Sequence, residues 1–252
     1  MAGKKGGYAR MKKTIHLMIA VVLVMGALLG CDINDNDSIN GSGDIETVEM
    51  DYTDFTEVSI SNAIRATVTR DDSFSAVISV DDNIEEYLNT RMVDDRLEIY
   101  LDRGHHYRNI TVEADITLPL LEGLSLSGAS RAEVSGFMSD HDLDIKLSGA
   151  SRLSGTIVAV DADFDISGAS RLELDGVGEN LKVKASGASD VDLRDFVSED
   201  VDISLSGASK GTINLNGTLD ANLSGASELR YYGSPTMGDI DTSGASKIKA
   251  AS

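Results

Sequence analysis

The chain has 252 residues, 41% hydrophobic and 25% charged, enough to bury a core and too polar for a multi-span membrane protein. Aromatic residues make up only 5%, without any Trp, and the net charge is −20. A surface this acidic repels phosphate backbones and offers few rings for base stacking, which excludes nucleic-acid binding.

The charge is segregated. Residues 1–30 carry five of the 22 basic residues (Lys4, Lys5, Arg10, Lys12, Lys13) and no acid. Lys12 and Lys13 precede an apolar run from Leu17 to Leu29, about the length of a signal h-region and short of the roughly 20 residues that span a bilayer. The run closes on Leu28-Leu29-Gly30-Cys31, and Cys31 is the only cysteine. This reads as a bacterial lipobox: residues 1–30 form a lipoprotein signal peptide, with Met11 a second candidate start, and Cys31 takes the lipid. An exported chain with one cysteine forms no internal disulfide, so the fold stands without covalent staples. The expected location is the cell envelope, anchored to a membrane through the N-terminal lipid. Asp32 signals inner-membrane retention in enteric bacteria but not in other phyla, so the leaflet stays open.

Residues 31–50 are rich in Asp, Asn, Ser and Gly and read as a flexible tether. Their acids do not form an EF-hand loop: counted from Asp32, positions 6 and 12 are Asp37 and Gly43, and counted from Asp35, position 6 is Asn40. Residues 51–118 alternate apolar and polar side chains, with strands expected near 74–80, 96–101 and 109–118 and a short helix or turn from Asn83 to Leu88. Ser61-Asn62-Ala63-Ile64 looks like a degenerate corner of the kind repeated later. This segment is expected to cap one end of a repeat array, with the boundary at Pro119.

Residues 119–252 are built on a repeat. Ser-Gly-Ala-Ser occurs seven times, with its glycine at Gly128, Gly149, Gly168, Gly187, Gly207, Gly225 and Gly244, every 18 to 21 residues. Two and four residues before the glycine the columns are mostly apolar (Leu126, Leu147, Ile166; Leu124, Ile145, Phe164), and the positions between are polar. Such period-two alternation makes each copy a strand with one buried face. A unit of about 19 residues suits one coil of a parallel β-helix or a pair of strands in an up-and-down sheet. A fixed tetrapeptide at the same corner of every unit favours the β-helix. Glycine permits a positive φ at the corner, alanine is small enough to pack inside the bend, and the serines can bond to neighbouring backbone. The fold class is thus all-β, a parallel β-helix or solenoid with an N-terminal β cap.

Two polar columns flank the corner. Five before the glycine stand Asp144, Asp163, Asp202, Asp220 and Asp239, interrupted by Lys182; these aspartates are the candidates for calcium or another ligand, against a solvated outer face. Immediately after the tetrapeptide come Arg131, Arg152, Arg171, Asp190, Lys210, Glu228 and Lys247.

The run Ile116-Thr117-Leu118-Pro119-Leu120-Leu121, the repeated Ser-Gly-Ala-Ser units and the segment Leu229-Arg230-Tyr231-Tyr232-Gly233-Ser234-Pro235 resemble the DUF2807 family, the "putative auto-transporter adhesin, head GIN domain". The resemblance covers residues 50–250 and implies a β-helix-like envelope protein, often a lipoprotein, with no established catalytic residues.

Catalytic signatures are missing. His16 lies in the signal, adjacent His105 and His106 would point to opposite faces of a strand, and His141 stands apart from any distinctive Ser or Asp pattern. No cofactor or metal site is expected. The leading functional reading is a lipid-anchored envelope binding or adhesion module without catalytic activity. Its partner would be an envelope protein or glycan, with self-association through exposed end coils a further expectation. Alternatives are a polysaccharide-processing β-helix enzyme and a structural or sensory envelope lipoprotein.

Overall fold

In the repeat region every second side chain is apolar, and each such run forms a strand that buries one face. The computed structural model describes residues 38–138 and 141–251; Cys31 and the lipobox lie outside them. Strands before each corner are β10 (Gly123–Leu126), β12 (Leu143–Leu147), β14 (Asp161–Ile166), β16 (Asn180–Ala185), β18 (Asp200–Leu205), β20 (Thr218–Leu223) and β22 (Thr236–Thr242). Those after it are β11 (Arg131–Met138), β13 (Arg152–Val158), β15 (Arg171–Val177), β17 (Asp190–Ser198), β19 (Lys210–Leu215), β21 (Glu228–Gly233) and β23 (Lys247–Ala250). Each set stacks in parallel, one coil on the next, which is the solenoid the repeat predicts and excludes the up-and-down arrangement. Register follows the glycine alignment: Ile145 sits beside Phe164, which sits beside Val183. Differences in coil length are absorbed by bulges in β11 and β17, away from the corner.

The inward columns of the two sheets fill the space between them. Phe164, Val183, Ile203 and Leu223 from one side and Leu172, Val191 and Leu229 from the other are fully buried. Each such side chain contributes roughly 1.5–3 kcal/mol on burial, and the contribution recurs coil after coil. Phe164 and Phe196 meet edge to face at 6.2 Å between ring centres.

The corner is held by backbone and by one serine. Every corner glycine has φ between 70 and 77°. The Gly187 carbonyl accepts the Ala208 N–H at 2.7 Å, the Gly207 carbonyl accepts that of Ala226 at 2.7 Å, and the pattern runs from Ala169 to Ala245. A Cβ on Gly207 would lie 2.5 Å from the Gly187 oxygen. The alanines, expected inside the bend, are exposed. The second serine occupies the interior instead: Ser130, Ser151, Ser170, Ser189, Ser209 and Ser227 are 0–1% exposed. Turning inward, Ser189 donates its hydroxyl to the Ser186 carbonyl at 2.7 Å and Ser209 to that of Ser206 at 2.8 Å. A hydroxyl at that depth needs such an acceptor, whereas a methyl group is tolerated in water.

The N-terminal segment contains β1 (Ser38–Asn40), β2 (Ile45–Met50), β3 (Glu57–Ile60), β4 (Arg65–Arg70), β5 (Ser75–Asp81), helix α1 (Asp82–Glu85), β6 (Leu88–Val93), β7 (Arg96–Leu101), β8 (His106–Arg108) and β9 (Val112–Leu118). The tether assigned to residues 31–50 is too long by its second half. Strand β2 pairs antiparallel with β5, and Val48 and Met50 pack on the core, because the alternation Ile-Glu-Thr-Val-Glu-Met outweighs the polar run before it. Buried Asp81 fastens this entry by accepting the Gly43 N–H at 2.8 Å and the Thr111 N–H at 2.6 Å.

Pro119 is not a spatial boundary. Strands β3 and β4 form a coil of their own that lies between β7/β9 on one side and β10/β11 on the other. Their corner, Ser61-Asn62-Ala63-Ile64, keeps positive φ at Asn62 and Ala63, and Ile64 takes the buried place of the second serine. Beyond them, antiparallel β2, β5 and β6 finish the cap, and one core runs through both segments.

Gly207→Ala combines backbone strain with contact against the next coil and is expected to lower stability by about 2–4 kcal/mol in urea unfolding. Ala208→Ser, beside it and exposed, should be neutral. Ser189→Ala should cost about 1 kcal/mol through its lost hydrogen bond, while Ser170→Ala should cost nothing, because the Ser170 hydroxyl is buried without a partner.

Candidate binding faces

The solenoid presents two flat outer faces whose rows of side chains follow from register alone. On the sheet of β10 to β22, Asp144, Asp163, Lys182, Asp202 and Asp220 stand in one row, and Asp161, Asn180, Asp200 and Thr218 in a parallel row. The two rows line a shallow groove of about 890 Å³ that His141 also borders.

Many of these carboxylates serve neighbouring coils. Asp161 accepts the Asn180 side-chain amide at 2.6 Å, Asp200 accepts the Thr218 N–H at 2.6 Å, and Asp220 accepts the Asp239 N–H at 2.7 Å. Lys182 lies 4.0 Å from Asp163 and Lys146 lies 3.9 Å from Asp144. Among the described residues no three His, Cys, Asp or Glu side chains converge to hold a metal ion. Within the aspartate row itself, the acidic lane of this face, Asp220 makes such a backbone contact, and Asp144 and Asp163 face lysines.

The opposite face, on β11 to β23, carries a different row. Arg65, Arg131, Arg152 and Arg171 stack on four successive coils, followed by Asp190, Lys210, Glu228 and Lys247 in alternating sign. Arg65 pairs with Glu113 at 3.2 Å, and Arg171 pairs with Asp190 at 3.2 Å and Glu173 at 3.3 Å. Arg131 and Arg152, at the centre of the run, are exposed and have no acidic partner among the described residues. Arg65 escapes the tetrapeptide alignment, although it follows the degenerate corner Ser61–Ile64 and so occupies the same column. Farther along, hydrogen bonds from Arg230 and Lys249 hold the Glu228 carboxyl below the usual carboxylate range. That contribution is complete at neutral pH and is lost as the pH falls through the lowered value.

The histidine pair does not form a site of its own. His105 packs on Tyr87 at 4.9 Å and near Tyr107 at 6.1 Å, and the Tyr107 hydroxyl donates to the Asp102 carbonyl at 3.0 Å, so these rings clasp the loop before β8. Burial raises the Tyr107 phenol.

Lys182 stands in the acidic row between Asp163 and Asp202. Lys182→Ala should lower thermal stability at low ionic strength by an amount within about 1 kcal/mol. The deficit should shrink in high salt, where the screening length falls below the coil spacing. A deficit independent of salt would point to lost packing of the lysine stem.

Comparison with known proteins follows the same lines. The sequence pattern of the family described as "putative auto-transporter adhesin, head GIN domain" matches residues 54–235. No curated protein is similar enough to count as a relative. Among solved structures, a "putative adhesin" from Bacteroides fragilis NCTC 9343 is 20% identical, with a TM-score of 0.79 over 85% of this chain and 100% of that one. A "putative lipid binding protein" from Parabacteroides distasonis ATCC 8503 is 17% identical, with a TM-score of 0.70 over 85% and 100%. A "putative adhesin" from Parabacteroides merdae ATCC 43184 is 16% identical, with a TM-score of 0.66 over 86% and 100%. At these identities the structures share the fold, and the family pattern, covering more than half of the residues, carries the assignment: the chain belongs to the DUF2807 family.

Proposed function

We propose that this protein is a lipid-anchored, non-catalytic adhesion module of the cell envelope, making contact through the flat face that bears the arginine row. The observation that carries the reading is the break in charge pattern along one column. From Asp190 to Lys247 the signs alternate, as the mutual repulsion of stacked side chains about 4.8 Å apart favours. From Arg65 to Arg171 they do not, and the two central arginines have no acidic partner among the described residues. Four guanidinium groups in line suit anionic groups spaced along an envelope glycan or protein.

Lipid attachment at Cys31 would tether the molecule by its capped end, because β2 is an edge strand at the end of its sheet opposite β23. No helix among the described residues is long and apolar enough to cross a membrane. A binding role is favoured over a catalytic one by the groove's chemistry. Three of its carboxylates, Asp161, Asp200 and Asp220, bond to neighbouring coils, and the rows repeat the same spacing from coil to coil.

Cys31→Ser should abolish incorporation of labelled fatty acid and move the protein from membrane to soluble fractions. The chain without its first 31 residues, which retains the compact unit from Ile39 to Ser252, should capture a ligand from envelope extract or a glycan array. Arg131→Glu with Arg152→Glu should reduce that capture at least tenfold while changing stability by no more than about 0.5 kcal/mol per site. Undiminished capture would move the contact to the acidic lane, and cleavage of an array glycan would favour the polysaccharide-processing enzyme.

A further inference from the structure

The two ends of the solenoid differ. At one end the antiparallel strands β2, β5 and β6 and helix α1 close the stack, with Ile84 and Phe55 fully buried. At the other, nothing among the described residues pairs with the outer edges of β22 and β23. The inward column that holds Ile203 and Ala221 at 0–3% exposure continues to Ile240, which is only half-buried. The column of Val191 and Leu229 likewise continues to half-buried Ile248, and Met237 is 45% exposed. The last coil thus offers two rows of unpaired backbone groups around an uncovered strip of core.

Its outward side chains divide by sign. Strand β22 presents Asp239 and Asp241, and strand β23 presents Lys247 and Lys249. Lys249 also reaches Glu228 at 3.2 Å, whereas Asp241 and Lys247 have no ionic partner among the described residues. Charged side chains on an edge strand ordinarily discourage pairing. Here each of the two edges carries the charge that suits the other.

We propose that the terminal coil is a self-docking surface, on which two copies meet end to end with β22 of each running antiparallel to β23 of the other. The geometry follows from a two-fold axis along the strands, midway between the sheets. The two strands of a coil run in opposite directions because a corner reverses the chain. The rotation sets β22 of one copy over β23 of the other, antiparallel, with outward side chains on a common face. Asp239 and Asp241 then lie among the partner copy's lysines, as favourable cross-strand pairs. A two-fold axis across the strands would instead put β22 on β22 and β23 on β23, each with like charges opposed. A second argument is independent of charge. Any climb of the coil between β22 and β23 leaves equal gaps in the exchanged pairing and unequal ones in the like-with-like pairing, so only the exchanged arrangement closes both edges together. The contact is isologous and closes at two copies.

The end of one coil is small beside the about 800 Å² per partner of a standard interface, so the expected association is weak. It concerns the free edges of the last coil and not the arginine run from Arg65 to Arg171, and it stands or falls separately from the adhesion reading. The test is sedimentation equilibrium on the chain without its first 31 residues, at low ionic strength and up to about 1 mM, a range that reaches weak dimers. The unmodified protein should form dimers reversibly. Lys247→Glu with Lys249→Glu should be monomeric, as should Asp239→Lys with Asp241→Lys, each with an unchanged circular dichroism spectrum. An equimolar mixture of these two variants should dimerise again, because every β22 then finds an oppositely charged β23. A monomer throughout the range, dimers that survive either double reversal, or a mixture that stays monomeric would each overturn the proposal. Capture of envelope ligand by the monomeric Asp239→Lys with Asp241→Lys variant, whose changes lie on the sheet opposite the arginine row, would be unaffected.

Discussion

From the corner at Ala169 onward, each coil depends on one contact, the hydrogen bond from the alanine N–H of a corner to the glycine carbonyl of the coil before it. Between Ala169 and Ala245 these bonds measure 2.7–2.8 Å. They carry the ladder of the two sheets around the bend, so that no break in backbone pairing falls at the corner. The contact also fixes composition. A carbonyl aimed along the stack meets whatever sits on the next corner, and a Cβ there would collide with it. Positive φ alone would admit an asparagine, as at Asn62 in the degenerate corner. Close stacking on a corner of the same kind admits glycine only.

That constraint explains why the solenoid was readable and where the reading stopped. The glycine column set the register, and the inward columns such as Leu147, Ile166 and Leu205 followed from counting. The tetrapeptide's inner residue was misread, since size alone suggested alanine. Polarity decides otherwise: the buried serine supplies a hydrogen bond across its own corner, which an alanine side chain has no means to make. In the cap no repeat fixes the count. Its strands were visible as alternation, but the placement of β3/β4 between β9 and β11 depends on pairings between residues far apart in sequence, which local pattern does not encode. Asp81, buried and accepting two backbone N–H groups, was indistinguishable in the sequence from the many exposed aspartates.

The candidate faces were legible as columns and not as chemistry. Alignment on glycine gave both the aspartate row and the basic row. It did not distinguish a carboxylate engaged with the adjacent coil, such as Asp200, from a charge with no acidic partner among the described residues, such as Arg152. That distinction reverses the emphasis. The acidic lane is the longer row, but Asp161, Asp200 and Asp220 bond to neighbouring coils, and the groove is open and without a metal-binding cluster among the described residues. The arginine run is shorter, and at its centre Arg131 and Arg152 are exposed with no acidic partner among the described residues. On a molecule of net charge −20, a cationic row works only at short range, because the screening length at physiological salt is about 8 Å. A partner would be selected on contact and not steered from a distance, which suits a protein held at a surface where its partner is already concentrated.

A solenoid is directional, and the two ends solve the edge problem in different ways. The cap abandons the parallel pattern: antiparallel β5 and β6 reverse the chain, and the polar, charged strand β2 finishes one sheet. The last coil keeps the parallel pattern to its edge. Such an end loses part of the burial that stabilises each interior coil, since Ile240 and Ile248 are covered on one side only. In a stack held by nearest-neighbour contacts, that coil is the least stable unit and the first to fray. Anything that pairs with β22 and β23 therefore stabilises the unit that needs it most. Occupation of this end and the local stability of the final coil are thus linked by mass action, with the charges on the two strands determining which edges are compatible.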